Sequence, residues 1–166
     1  MQHYEINEYR ATKEWPYAIS AGCVVYRMTK EKLEVLLLSR NPGHENDPLS
    51  KKVTYMLPKG HVAIGEPIEA AAQRETEEEA GVKVELTTYL GGYIHDFVHP
   101  KHTMRNIKTT HYFAAAYQVD LRVIDHEHDA RVWLDIEDAI AKLKQTTPER
   151  GEFVMLERLK QFLGAA

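Results

Sequence analysis

The chain has a single cysteine, Cys23, in 166 residues, so it cannot make an intramolecular disulfide. It has no apolar run near the roughly 18 residues that suggest a membrane span. The opening stretch MQHYEINEYRATKEWP lacks the basic start and apolar core of a secretory signal, and the expected location is therefore cytoplasmic. Internal repeats, low-complexity tracts and Gly/Ser-rich linkers are absent as well, which argues for one domain. Nor is there an excess of positive charge. Lys and Arg number 21 against 25 Asp and Glu, and the net charge of -4 gives no whole-chain attraction to double-stranded nucleic acid or to an anionic membrane. Any anion site must be local. With 43% hydrophobic residues, the chain is long enough to bury a real core.

Residues 1–16 are polar and aromatic without clear periodicity, and read as an extension that packs on the domain or on a partner; residues 17–166 read as the domain. The runs YAISAGCVVY and LEVLLL flank RMTKEK as paired strands do. NPGHENDPLS is dense in turn formers and forms a candidate lip of a site, followed by a short strand through VTYML. Pro67 suits the first helical position and Gly81 the position just past a helix end, giving a helix over Pro67–Ala80. VKVELTTYLGGYIHDF, IKTTHYFAAAYQV and ARVWLD read as further strands of a mixed or antiparallel sheet. Two helices close the chain, the first capped by Asp135, the second repeating Phe153, Leu156, Leu159 and Phe162.

The helix over Pro67–Ala80 poses a problem of charge. At about 100° per residue, with Glu75 at zero, Ile68, Ala71, Ala72, Glu78 and Glu79 all fall within about 60° of it, while Glu69, Gln73 and Glu77 fall on the opposite side. Glu75, Glu78 and Glu79 thus share the apolar, inward stripe. Like charges at this spacing repel, and inward carboxylates lose hydration, so the arrangement requires a cation among them. Hard carboxylate oxygens without cysteine or a dedicated histidine pair favour Mg2+ or Mn2+ over zinc, and Mg2+ sites commonly share their ligands with substrate phosphates.

Gly60, Glu66 and the run RETEEEAGV follow the spacing G-x5-E-x7-R-E-U-x-E-E-x-G-U at Gly60, Glu66, Arg74, Glu75, Glu78, Glu79, Gly81 and Val82. In this the chain resembles the Nudix hydrolases. Thr76 departs from the pattern, standing where a bulky aliphatic residue is usual. The resemblance implies an α/β fold, an α/β/α sandwich around a mixed sheet. It implies that Glu75, Glu78 and Glu79 hold Mg2+ or Mn2+, with the backbone near Lys59 or Gly60 contributing, and that Arg74 orients Glu75. Glu66 would sit at the junction of loop and helix in a structural or outer role. The implied reaction is hydrolysis of a nucleoside diphosphate linked to another group, by water activated at the metal. The proton acceptor is Glu75 or Glu127; Glu127, His128 and Trp133 resemble a Glu-His pair ahead of a Trp-bearing strand in the dinucleoside polyphosphate branch, where Glu127 would also reach the metal.

The opening Leu57, Pro58, Lys59, Gly60 and His61 resembles that of diadenosine tetra- and hexaphosphate hydrolases, with Lys59 and His61 as substrate contacts. Lys101, Arg105 and Lys108, with four histidines nearby, make a basic patch suited to a long polyphosphate, and Arg105 and Lys108 are its candidate binding residues. The histidines lack a compact zinc pattern. Tyr4, Trp15, Tyr93, Phe97 and Tyr112 are candidates for stacking on a base, and Cys23 is a packing residue. The expected partner is a small nucleotide, with a homodimer left open. ADP-ribose, a nucleotide sugar, a diphosphoinositol phosphate or an RNA 5' end are alternative substrates. A nucleotide sensor without turnover is the rival from another class.

Overall fold

The computed structural model describes residues 7–121 and 127–164; Tyr4 and the start of the loop before Glu127 lie outside the described residues. Seven strands and three helices run in the order β1 (Tyr17–Thr29), β2 (Lys32–Arg40), β3 (Thr54–Met56), β4 (Lys59–His61), α1 (Ile68–Ala80), β5 (Val82–Val98), β6 (Arg105–Asp120), β7 (Ala130–Asp135), α2 (Ile136–Thr146) and α3 (Glu152–Leu163), with a short 3-10 turn at Pro148–Arg150. The sheet order is β3-β2-β1-β6-β5, with β4 added to β1 and β7 to β2. Only β1 and β6 pair in parallel, from Tyr17 opposite Ile107 to Tyr26 opposite Ala116; the other pairs are antiparallel. The sheet is mixed, as expected.

Strands covered on both faces read as nearly continuous apolar runs, and β1 and β2 do so because helices lie on each side. Cys23, Val25, Leu36 and Leu38 point toward α1, where Ala71, Ala72 and Ala80 allow close approach. Val24, Val35 and Leu37 point to the other face and meet Ile140, Leu143, Leu156 and Leu159 of α2 and α3. This is the three-layer sandwich. Among the described residues, no helix is long and apolar enough to cross a membrane.

Pro67 stands one position earlier than expected, at the cap of α1 in an extended conformation, and Gly81 ends the helix with φ 63° and an N–H donated to Glu77. Arg131 of β7 also caps this end, donating to the carbonyls of Ala80 (2.8 Å) and Gly81 (3.1 Å). Thr76 takes the packing slot and is fully buried. Its hydroxyl faces the Cys23 thiol without a hydrogen bond of good geometry. Cys23 itself is buried against the Ala72 carbonyl, and its thiol is pushed up to about 12 by burial. Asp135 caps α2, accepting from Glu137 N at 3.0 Å.

Part of the extension is ordered against the domain. Glu8 bridges Ala63, Tyr9 N donates to Val62 O at 3.0 Å, Ile64 N donates to Asn7 O at 3.0 Å, and Ile19 N donates to Tyr9 O at 3.0 Å. Residues 7–9 therefore lie as a strap between the start of β1 and the loop that leads into α1.

Candidate active site

Leu57 leads from β3 into Pro58 to His61, and β4 pairs antiparallel with β1, Gly60 facing Ala21 and Gly22 facing Lys59. That pairing brings the loop before α1 down against the helix. It depends on glycine twice. A Cβ on Gly22 would lie 2.1 Å from the Pro58 carbonyl, and one on Gly60 would lie 2.0 Å from a Glu75 carboxylate oxygen.

Arg74 organises the acidic helix. Its Nε and Nη2 grip Glu66 as a fork at 2.8 and 2.9 Å, Nη1 donates to Glu75 at 2.6 Å and to Glu78 at 3.3 Å, and Nη2 donates to the His61 carbonyl at 3.2 Å. Those five bonds use every N–H of the guanidinium. Glu66 also accepts from Ala63 N at 2.9 Å, so it fixes the loop to the helix start. The fork from Arg74 holds Glu66 below the usual carboxylate range, and the same partners raise Arg74 further above its ordinary value. Glu75 behaves oppositely. Burial raises its pKa, and Arg74 offsets this only in part.

Glu79 is 7% exposed and accepts from Lys59 N at 2.9 Å. Glu78, expected on the inward stripe, stands at the rim with its side chain 57% exposed, because its phase falls at the edge of that stripe. Among the described residues, no three His, Cys, Asp or Glu side chains converge closely enough to hold a metal as they stand. The reason is visible in the bonds above: Glu75 and Glu78 lean onto Arg74, and Glu79 onto the Lys59 amide. The donor set nonetheless suits a hard divalent cation, because three carboxylates crowd one helix and the half-buried one at position 75 carries charge that Arg74 leaves undercompensated.

Cationic side chains share a cavity with these carboxylates. It measures about 570 Å3 and also takes in Gly60, His61, Asp47 of the β2–β3 loop, and Glu127 and His128. Lys59 reaches across to Glu152, 3.2 Å away at the start of α3. Glu152 is 1% exposed and also accepts from Tyr112 Oη at 3.0 Å and Leu57 N at 3.3 Å. Gly151 makes that position possible, since φ is 66° and a Cβ there would meet the Tyr93 ring at 2.3 Å. Lys108 is half-buried in the cavity wall, and burial, with help from Lys59 and Arg150, lowers its pKa to about 8. Arg40 donates to the Glu127 carbonyl at 3.0 Å and meets His128 Nε2 at 3.5 Å. Burial lowers His61 to about 4 and His128 to about 3, so both are neutral near pH 7.

The structure thus gathers Arg74, Glu75, Glu78, Glu79, Lys59, Gly60, His61, Lys108 and Glu127 around one cavity. Arg105 is not among the lining residues. It is exposed and forked onto Asp96 at 3.0 and 2.7 Å. Trp133 lies away from the cavity, against Tyr117 and under the Arg27 guanidinium. Tyr93, Phe97 and Tyr112 line the cavity, whereas Trp15 does not. Arg40, Arg150 and Glu152 were not anticipated from sequence. They are single charges at the ends of elements, and only the burial of Glu152 beneath Lys59 distinguishes them.

Comparison with known proteins agrees with this geometry. Residues 16–156 match the NUDIX domain model. The chain is 36% identical over 123 residues to the asymmetrical bis(5'-nucleosyl)-tetraphosphatase of Caenorhabditis elegans, covering 73% of this chain and 81% of that one. It is 35% identical over 128 residues to the chloroplastic Nudix hydrolase 21 of Arabidopsis thaliana, covering 75% and 59%. A crystal structure of a C. elegans Ap4A hydrolase binary complex superposes with a TM-score of 0.65 at 26% identity, over 90% of this chain and 99% of that one. Matched along most of its length, and with Glu66, Glu75 and Glu78 of the box gathered by Arg74 beside a charged cavity, the chain belongs to the Nudix family of hydrolases.

Proposed function

We propose that this enzyme hydrolyses dinucleoside polyphosphates asymmetrically, with diadenosine tetraphosphate as the model substrate and Mg2+ or Mn2+ as cofactor, in the cytoplasm. The observation that carries the reading is the company these charges keep: Glu75, Glu78 and Glu79 line one cavity together with Lys59, Lys108 and Arg150. A chain of phosphates has anionic oxygens for the cationic side chains and metal-binding oxygens for a cation held by the glutamates. The likeness to an asymmetrical tetraphosphatase supports the same substrate class.

Glu75, Glu78 and Glu79 would hold the metal, with the Gly60 backbone beside them. When bound, the cation supplies charge neutralisation at phosphorus and a more acidic water. The chain's own residues do the rest. Arg74 keeps Glu75 and Glu78 aimed from one guanidinium. Lys59 and Lys108 bind phosphate oxygens and draw charge toward the leaving side. Neutral His61 offers a hydrogen bond instead of a charge. Proton acceptance falls to Glu75, whose half-buried carboxylate is the more basic for its loss of hydration, or to Glu127, which lines the same cavity. Arg105, forked onto Asp96 outside the cavity, has no part in this scheme.

The test is a hydrolysis screen with each divalent ion over diadenosine tetra- and hexaphosphate, ADP-ribose, a nucleotide sugar, a diphosphoinositol phosphate and a triphosphorylated RNA, with products separated by ion exchange. ATP and AMP from the tetraphosphate as the preferred reaction is the expected result. Preference for another substrate would overturn the assignment of substrate class, and absence of turnover with every ion would turn the reading toward a nucleotide sensor.

A further inference from the structure

The NUDIX match begins at residue 16, yet the wall of the cavity includes two residues that precede it, Glu8 and Arg10. They do not reach it by chance of a loose tail. The strap they belong to is held in register by the Glu8–Ala63 bridge and by hydrogen bonds to Val62, Ile64 and Ile19, all at 3.0 Å. Ala63 is the residue whose N–H also donates to Glu66, so strap and Arg74 cluster share one short loop. The backbone is fixed at the side of the cavity where His61 sits.

On that backbone, Arg10 donates from Nε to a Glu8 carboxylate oxygen at 2.5 Å. Its side chain is 65% exposed and Glu8's is 33% exposed. One edge of the guanidinium is therefore spent on Glu8, and among the described residues the two Nη groups take no hydrogen-bond partner at the cavity wall. The pair is arranged as an anchored fork: Glu8 restrains the side chain and the remaining donors match phosphate oxygens. Arg10, Lys108 and Lys59 all act electrostatically on His61, and all line the same cavity. Lys59, by contrast, has much of its charge answered by Glu152 at 3.2 Å.

We infer that the segment preceding the family domain completes the substrate site, with Arg10 as a specificity-determining contact for phosphates of the substrate beyond those at the acidic helix, and Glu8 as the residue that positions it. The inference rests on the polyphosphate reading above and extends it. It predicts a dependence on phosphate number. A substrate with two phosphates is held by the acidic helix and its neighbours, whereas a longer one reaches the strap.

The experiment uses the full chain with Arg10→Ala, Arg10→Lys and Glu8→Gln. Steady-state kinetics on diadenosine hexaphosphate, diadenosine tetraphosphate and ADP-ribose is paired with calorimetric binding of magnesium tripolyphosphate, which needs no turnover. Loss of a charge-assisted contact is worth about tenfold in affinity. Arg10→Ala should raise KM for the hexaphosphate and the Kd for tripolyphosphate by about that factor with kcat unchanged, and leave ADP-ribose nearly untouched. Arg10→Lys should recover part of the loss and Glu8→Gln should fall between. Wild-type KM and Kd in Arg10→Ala would overturn the inference. So would an equal fall in kcat on all substrates, which would mean that the strap acts only by bracing the Val62–Ile64 loop. If the wild type binds tripolyphosphate yet hydrolyses none of the three, the substrate proposal fails and Arg10 is judged on Kd alone; if the wild type does not bind it, the inference falls.

Discussion

Gly60 and Glu75 touch at a point where no side chain fits between them: a Cβ on Gly60 would sit 2.0 Å from one carboxylate oxygen and 2.1 Å from Cδ. The carboxylate is a flexible end and can move aside, so the fold survives a methyl group there while the site does not. Gly60→Ala should cost about 1–3 kcal/mol in stability. A displacement of about 1 Å at a reacting group costs about 100-fold in rate, and kcat should fall by that much. Melting curves and initial rates on the same preparation separate the two effects.

Glu79 is buried, and its position under Lys59 N does not need a negative charge. Glu79→Gln should therefore keep the fold and lower kcat by about 100- to 10,000-fold, the range for loss of a directly acting group. Glu127→Gln should also slow the reaction. Wild-type kcat for Glu127→Gln would remove Glu127 from the chemistry and leave Glu75 as the proton acceptor.

Lys108 gives a pH signature. Its folded pKa of about 8 lies below the ordinary 10.5, so between these values the native protein has released a proton that the unfolded chain retains. Stability should rise with pH across that window, because the unfolded state binds more protons. Phosphate binding runs the other way, since it needs the charged form. KM should climb as pH passes about 8, and Lys108→Arg, which stays charged, should flatten that limb.

Glu152→Gln keeps the shape of a buried side chain and removes its charge. Lys59 then loses its partner inside the wall, and breaking such a pair costs about 3 kcal/mol. The lysine ammonium is also left unheld. A lower melting temperature together with a raised KM is the expected outcome; a change in stability alone would show that Lys59 is positioned by its backbone bond to Glu79.

Thr76 is a place where stability was left unused. Thr76→Val keeps the volume and removes a buried hydroxyl without a good partner, so the protein should gain about 1 kcal/mol by denaturant titration with unchanged kcat.

The acidic helix was legible in the sequence because several independent signals coincide there: the phase of Glu75 and Glu79, proline before, glycine after, and the box spacing. The β1–β2 pair was legible as two β-branched and apolar runs, and β5 and β6 as single strands. β4 was not, because three residues centred on a glycine carry no strand pattern and owe their conformation to β1. Arg105 and Lys108 looked alike as members of one basic patch. Their spacing of three residues on a strand sends them to opposite faces, which is where the structure has them, and alternation would have divided them. Glu152 could not be told from an ordinary acidic residue in a first helical turn. Its burial comes from tertiary packing of α3 on β5 and β1, with Tyr112 of β6 against it, that no local pattern records.

The parallel pairing of β1 with β6 sets an order of events as the chain is made. The acidic helix is synthesised early and β6, with Lys108, much later; Glu152 comes last of all. Until then β1 has β2 and β4 beside it but lacks its parallel neighbour, and the glutamates lack Lys108 and Glu152. Pairings this distant close slowly, and a growing chain has to wait for them. The closed core and the complete charged cavity therefore both wait for α3, and a ribosome-bound chain stopped before α3 carries the whole Nudix box without Glu152 or the helix that bears it.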